Sequence, residues 1–380
     1  MNSRLATDSA VTSEKDSLQA MPKDTRSANV YDVLKGILIL VIIAGHNEAI
    51  CWWSPALRQV FYYFNVQCFF ILSVILDRRP FSTQFLIDRA VRYLVPYGVF
   101  MAIAAAAWLA LRGFPDDSSA WVRSFALALY NGNESSIHDA VGMRVFWFLP
   151  SLFSLVMIRA LWTSFAWSRV PIIVAGVVWM LVVARVSPDL LRSIPLGGAS
   201  ALFFYPLCLV ARWLHDRTTP AIEPMRSLLA TCVSVICGVA VVNVPLGWVA
   251  AANPSGYDPA SPATFIIGLV FPAAMFFSLV AASRLLQHDR FLMLCGRHSL
   301  VMFLVHMFVY RGLTLVVFGR RFTSPEIVGQ QLAIGLLVFA ATVLTSLAMA
   351  LAVTHWPRLN ALLFPRDWSS WRTALAGSGE

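Results

Sequence analysis

Apolar runs of about twenty residues, each closed by a short polar or basic stretch, recur from residue 33 to residue 355. That length is what a helix needs to cross a hydrocarbon layer. Ten runs meet or approach it: 33–50, 57–76, 91–111, 145–165, 170–186, 197–214, 228–249, 264–286, 291–309 and 327–355. The pattern predicts an all-α, polytopic membrane protein with about ten transmembrane helices. No internal repeat and no soluble catalytic domain interrupts the series.

Composition agrees, at 58% hydrophobic and 13% charged residues, where a soluble domain has roughly 45–50% and 25%. Residues 1–30 are rich in Ser, Thr, Asp and Lys and lack an apolar core, so they read as a disordered cytoplasmic tail, not a signal peptide. Residues 31–356 form the membrane domain. Residues 357–380, with Trp368 and Trp371 beside Arg366 and Arg372, read as a cytoplasmic interfacial tail. The net charge of +9 comes from basic residues in short bursts between apolar runs, which marks topology in a lipid bilayer and no nucleic-acid partner. Ten spans starting inside put 20 of the 29 Lys and Arg on the cytoplasmic side, so both termini are expected there. Six scattered cysteines without a C-x-x-C pair suggest neither a metal site nor a disulfide framework. The longest loop, 112–144, then lies outside; it is the best candidate for holding a polar ligand, and a solvated connector fits it equally well.

Ionisable residues inside a spanning run are costly and therefore functional by default. The first run, YDVLKGILILVIIAGHNE, holds Asp32, Lys35 and His46. Eleven residues rotate a helix by about 1100°, roughly 20° past three turns, and advance it about 16 Å. Lys35 and His46 thus share one face at different depths, and Asp32 can pair with Lys35. The plainer alternative is a snorkelling lysine and a headgroup-level histidine. Glu48 faces elsewhere on an ideal helix and could take part only if the helix ends after His46. Asn65 and Gln67, deep in the second run, either bond to neighbouring helices or line a cavity. Arg89 and Arg92 project from one helix face, where forked guanidinium groups suit phosphates or serve as anchors. Trp147 fits an aromatic belt, and Ser299 and His306 lie two turns apart on one face.

Taken together, these residues resemble the acyltransferase-3 family of integral membrane acyltransferases, in particular its fucose 4-O-acetylase-like, polysaccharide O-acetyltransferase branch. The likeness rests on D-x-x-K-G (Asp32, Lys35, Gly36), a basic residue and a histidine separated by ten positions (Lys35, His46) and F-F-x-x-S (Phe69, Phe70, Ser73). It continues with R-x-x-R-x-x-x-P (Arg89, Arg92, Pro96), W-F-L-P-x-L-F (Trp147 to Phe153) and S-x6-H (Ser299, His306). The chain departs from the family where Asn65, Val66 and Gln67 replace a His-Met-Pro-like triplet, and where Val74 follows Ser73 in place of glycine.

The resemblance implies transfer of an acetyl group from cytoplasmic acetyl-CoA, with no metal, in the inner membrane of a bacterium. The implied acceptor is a sugar hydroxyl of a cell-surface or exported polysaccharide or of its lipid-linked precursor. His46 would act as general base or transient acyl carrier, aided by Lys35 and Asp32, and Arg89 and Arg92 would take the donor phosphates. Asn65, Gln67, Ser73, Trp147, Ser299 and His306 would contact substrate or oxyanion. The rival readings are a transporter or flippase for a lipid-linked sugar and transfer of another acyl group such as succinyl.

Overall fold

A computed structural model describes residues 23–178, 194–217, 222–242, 262–318 and 332–376, with helices joined by turns and no strand among them. The first run is divided between α1 (Lys23–Gly45) and a short helix, α2 (Glu48–Trp53), and is followed by α3 (Pro55–Leu76) and α4 (Thr83–Arg112). Two helices, α5 (Ser118–Asn131) and α6 (Glu134–Val141), fill most of the predicted outer loop. Then come α7 (Phe148–Ser164), α8 (Arg169–Val178), α9 (Gly198–Asp216), α10 (Glu223–Val242) and α11 (Pro262–Leu285). The chain continues through α12 (Arg290–Arg297), α13 (Ser299–Phe318), α14 (Leu332–His355), α15 (Pro357–Leu363) and α16 (Trp368–Ala376).

Capping side chains set several of these boundaries. Ser54, Ser82 and Asp289 accept from the first-turn amides of α3, α4 and α12, satisfying donors that have no partner within the helix. Among the described residues, α3, α4, α7, α9, α10, α13 and α14 are long and apolar enough to cross a membrane, and α11 adds the shorter apolar stretch Val270–Leu285. The protein is thus an all-α polytopic membrane protein. Leu228, Leu229, Val235, Ile236 and Val239 on α10 and Leu336, Leu337 and Leu344 on α14 are exposed, as lipid-facing positions should be.

The helix boundaries differ in detail from the apolar runs. The run 33–50 is not one helix, because α1 stops at Gly45; likewise 291–309 is broken at His298 between α12 and α13. Helix α1 begins at Lys23, inside the stretch read as a tail, while residues 1–22 lie outside the described residues, as does the end of the run 170–186. The interfacial tail contains two helices, and the Trp368 amide donates to Asp88 of α4 at 3.1 Å, tying α16 to the bundle.

Helix α1 is the centre of the packing. It touches α3, α11, α12, α13 and α14, and its Val33, Leu34, Leu38 and Ile39 are fully buried. Its closest partner is α12. A β-carbon at Gly36 would overlap the Leu292 carbonyl, and one at Gly296 would overlap the Asp32 carbonyl, so glycine at both positions lets the backbones touch.

Candidate active site

The end of α1 builds the site. The His46 amide still donates to the Ile42 carbonyl at 3.1 Å, but the next turn tightens, with the Asn47 amide on the Ala44 carbonyl at 3.1 Å. Asn47 adopts an extended conformation and caps α2, its Oδ1 accepting from the Ile50 amide. Its Nδ2 donates to the Gly335 carbonyl of α14 at 2.9 Å, which ties the break to a neighbouring helix. The Glu48 amide donates to the Tyr310 hydroxyl at 2.8 Å, and the Cys51 thiol reaches the Gly45 carbonyl at 3.0 Å. The condition under which Glu48 could join His46 is therefore met: the helix ends, and both residues line one cavity.

His46 meets His306 across this break. The two ring centroids are 5.2 Å apart in an edge arrangement, and Tyr62 lies 5.8 Å from His46. His46 Nδ1 is 2.8 Å from the Ile42 carbonyl, and His306 Nδ1 is 2.6 Å from the Phe303 carbonyl. A carbonyl oxygen can only accept, so each Nδ1 carries its hydrogen and each neutral ring keeps its lone pair on Nε2. His306 is fully buried and its Nε2 has no protein partner.

The cavity beside His46 has a volume of about 1090 Å³ and is lined from α1, α2, α3, α4, α6 and α13, with Arg58, Trp108, Arg112, His138, Asp139 and Arg311 at its wall. Of the polar residues in the 112–144 loop, His138 and Asp139 reach it, together with Arg112. Burial, and then Arg144, hold the His138 imidazole below its ordinary pKa.

A second polar group lies at the opposite end of α1. Asp32 pairs with Lys35 at 2.7 Å and with Arg297 at 3.2 Å. The Tyr31 hydroxyl is 3.4 Å from His215 at the end of α9, and the neighbouring Asp216 faces Arg78. Beside these, half-buried Asp77 pairs with Arg89 and lies 3.6 Å from Arg159, which also donates to the Arg79 carbonyl at 2.6 Å. Arg92 is exposed, with its guanidinium over the Tyr93 ring.

The structure thus joins His46 with His306 and Asp32 with Lys35, and sets the two groups at opposite ends of α1. Arg89 and Arg92 do not share an environment. The Asn65 amide lies beside Gly45, close to the break, whereas buried Gln67 leaves its Oε1 without a partner. Ser73 donates to the Phe70 carbonyl of its own helix at 2.8 Å, and Trp147 packs edge-on against Phe70 in the aromatic core. Ser299 starts α13, two turns from His306 and away from His46.

Reading the sequence alone misses Tyr62, Trp108, Tyr310 and Arg311 as site residues. Arg311 carried a usable signal, since it is an ionisable residue within the apolar stretch of α13. An apolar run ending at 309 leaves it in a loop.

Comparison with known proteins identifies the family. The acyltransferase-3 family, described as an acyltransferase domain, matches residues 29–353. The chain is similar to nodulation protein NolL of Sinorhizobium fredii, at 24% identity over 335 residues that span 82% of this chain and 86% of the relative. No solved structure matches. With a match running from the base of α1 almost to the end of α14, the chain belongs to the acyltransferase-3 family and is a multi-pass membrane acyltransferase.

Proposed function

We propose that the protein transfers an acetyl group from cytoplasmic acetyl-CoA to a sugar hydroxyl of a cell-surface or exported polysaccharide, or of its lipid-linked precursor, in a bacterial inner membrane. The observation that carries this reading is His46, held by the Ile42 carbonyl through Nδ1 at a helix break that opens onto a large polar-walled cavity. A positioned neutral imidazole is suited to take a hydroxyl proton near pH 7. In the direct route, Nε2 takes that proton while the hydroxyl oxygen bonds to the thioester carbonyl carbon. The tetrahedral adduct then collapses, the C–S bond breaks, and the proton passes to the departing sulfur. In the carrier route, Nε2 itself bonds to the thioester carbonyl carbon, the C–S bond breaks and the CoA sulfur leaves as thiolate. The sugar hydroxyl oxygen then bonds to the acetyl carbon, the Nε2–C bond breaks and the hydroxyl proton passes to the thiolate.

An extended CoA arm matches the separation along α1, about 16 Å from Lys35 to His46. Exposed Arg92 and Lys35, which Asp32 already engages, are the candidates for the donor phosphates. Arg89, engaged by Asp77, is best read as shaping that end of the bundle. His306, whose Nε2 has no partner, is suited to contact the acyl group or the adduct beside His46. The family match favours acyl transfer over the transporter reading.

The test uses membranes carrying the full chain, labelled acetyl-CoA and the host glycans. Wild type should leave stable label on glycan, and His46→Ala should lower transfer by roughly 10²–10⁴-fold at equal expression and folding. Full transfer by the folded variant would overturn the role of His46. Label carried from succinyl-CoA in preference to acetyl-CoA would replace the acetyl assignment, and mass analysis of the product identifies the hydroxyl.

A further inference from the structure

Three guanidinium groups stand around the cavity that holds His46: Arg58 from α3, Arg112 from the end of α4 and Arg311 from α13. Each is exposed, and none has a carboxylate within ion-pair distance among the described residues. The pattern differs at the other end of α1, where Asp32, Asp77, Asp216 and Glu223 engage arginines. Neutral groups fix the cavity arginines instead. Arg311 donates from one Nη to the Gly142 carbonyl at 2.7 Å, Arg58 lies over the Tyr62 ring at 5.7 Å, and Arg112 lies over the Trp108 ring at 5.9 Å. Held this way, a guanidinium keeps its charge and most of its five donors for a visitor.

The wall carries fewer negative groups than arginines, namely Glu48 and Asp139. It also offers an aromatic platform. Trp108 stacks on Trp121 with centroids 5.9 Å apart and planes 15° apart, and Trp121 stacks on Phe125. A rigid aromatic wall suits the apolar C–H groups of a sugar, and a neighbouring guanidinium suits a planar carboxylate or a phosphate. The volume of about 1090 Å³ holds more than a single sugar.

We propose that this cavity takes an acceptor glycan bearing an anionic group near the reacting hydroxyl, with Arg311, Arg58 and Arg112 holding the carboxylate or phosphate and Trp108 supporting the ring. The inference rests on the reading of the protein as a glycan acyltransferase with His46 at the reacting hydroxyl, and it narrows the acceptor to acidic sugars. The same anion chemistry is offered by a uronic acid, a sugar phosphate and a phospholipid headgroup, and the experiment separates them.

Full-length protein in phosphatidylcholine nanodiscs is titrated with a glucuronosyl-glucose disaccharide, with cellobiose as its neutral twin and with glucose 1-phosphate; the titrations are repeated with phosphatidylglycerol in the disc. The expected result is binding of the acidic disaccharide or the sugar phosphate, whichever source applies, at least tenfold tighter than cellobiose. Arg311→Ala and Arg58→Ala should each weaken it about tenfold or more, as loss of a charge-assisted hydrogen bond does. Arg311→Lys, which keeps the charge, should retain part of the affinity. Equal binding of cellobiose and its acidic twin by wild type would overturn the proposal and needs no variant. So would complete displacement of the acidic sugar by phosphatidylglycerol, which would make the arginines headgroup anchors. His46→Ala separates the two readings: it should bind the acidic sugar like wild type while transferring acetyl roughly 10²–10⁴-fold more slowly. Full transfer by that variant would remove the His46 mechanism and leave the anion site standing.

Discussion

A single methyl group at position 36 tests the close packing of α1 on α12. The β-carbon of Gly36→Ala would meet the backbone carbonyl of Leu292, which cannot swing aside as a side chain can. Gly296→Ala presses on the same interface from the other helix, against the Asp32 carbonyl. Overpacking of this kind typically costs about 1–3 kcal/mol. Each variant should melt at lower temperature in detergent than Gly98→Ala, whose added carbon meets nothing within 4 Å. The double variant should lose less than the sum, since both changes separate one helix pair. Melting temperatures equal to that of Gly98→Ala would show that the helices do not touch there. The sequence marks Gly36 as part of D-x-x-K-G, and the i, i+3 spacing of Asp32 and Lys35 foretells their ion pair. The partner that makes the glycine necessary lies on α12, and no local spacing reveals a contact across that much chain.

At the scale of the helix, the break after Gly45 decides what His46 can do. Apolar periodicity reads straight through it, because one asparagine is a weak stop signal against an apolar run on both sides. Asn47 makes the break with two bonds, the cap to Ile50 and the donation to Gly335. Asn47→Ala loses both, and loss of a cap alone costs about 1 kcal/mol. Asn47→Asp keeps the cap acceptor but turns an oxygen toward the Gly335 carbonyl in place of a donor. Both variants should lower kcat more than they change the apparent KM for acetyl-CoA, since a base displaced by about 1 Å costs on the order of 10²-fold while the Lys35 end of α1 stays in place. Full turnover in Asn47→Ala would mean that the break holds without its cap. The second histidine of the pair was legible as part of S-x6-H, but its approach to His46 was not, because α13 joins α1 only through the packing of the whole bundle.

The molecule as a whole sorts its polar residues into two ends. Contacts through Tyr31, His215, Asp216 and Arg78 join the base of α1 to the ends of α3 and α9, so stretches independently assigned to the cytoplasm by their arginines meet at one end. At the other end, His46 shares its cavity with Arg112, His138 and Asp139 from the loop assigned outside. Hydropathy foretells this sorting because it depends only on where apolar runs stop. The composition of each end is a matter of tertiary packing, which is why Arg89 reads as a phosphate ligand in sequence and is found beside Asp77. The absolute orientation follows from the basic residues, which should keep the Lys35 end and both termini in the cytoplasm. Alkaline phosphatase fused after Asn131 should therefore be active on intact bacteria, while a green fluorescent protein fused after the final residue should fluoresce. A fluorescent fusion after Asn131 together with an active phosphatase at the C-terminus would invert the molecule, placing His46 on the cytoplasmic side. Acetyl-CoA would then reach the reacting end without crossing the bilayer, and the separation of donor and acceptor along α1 would lose its purpose.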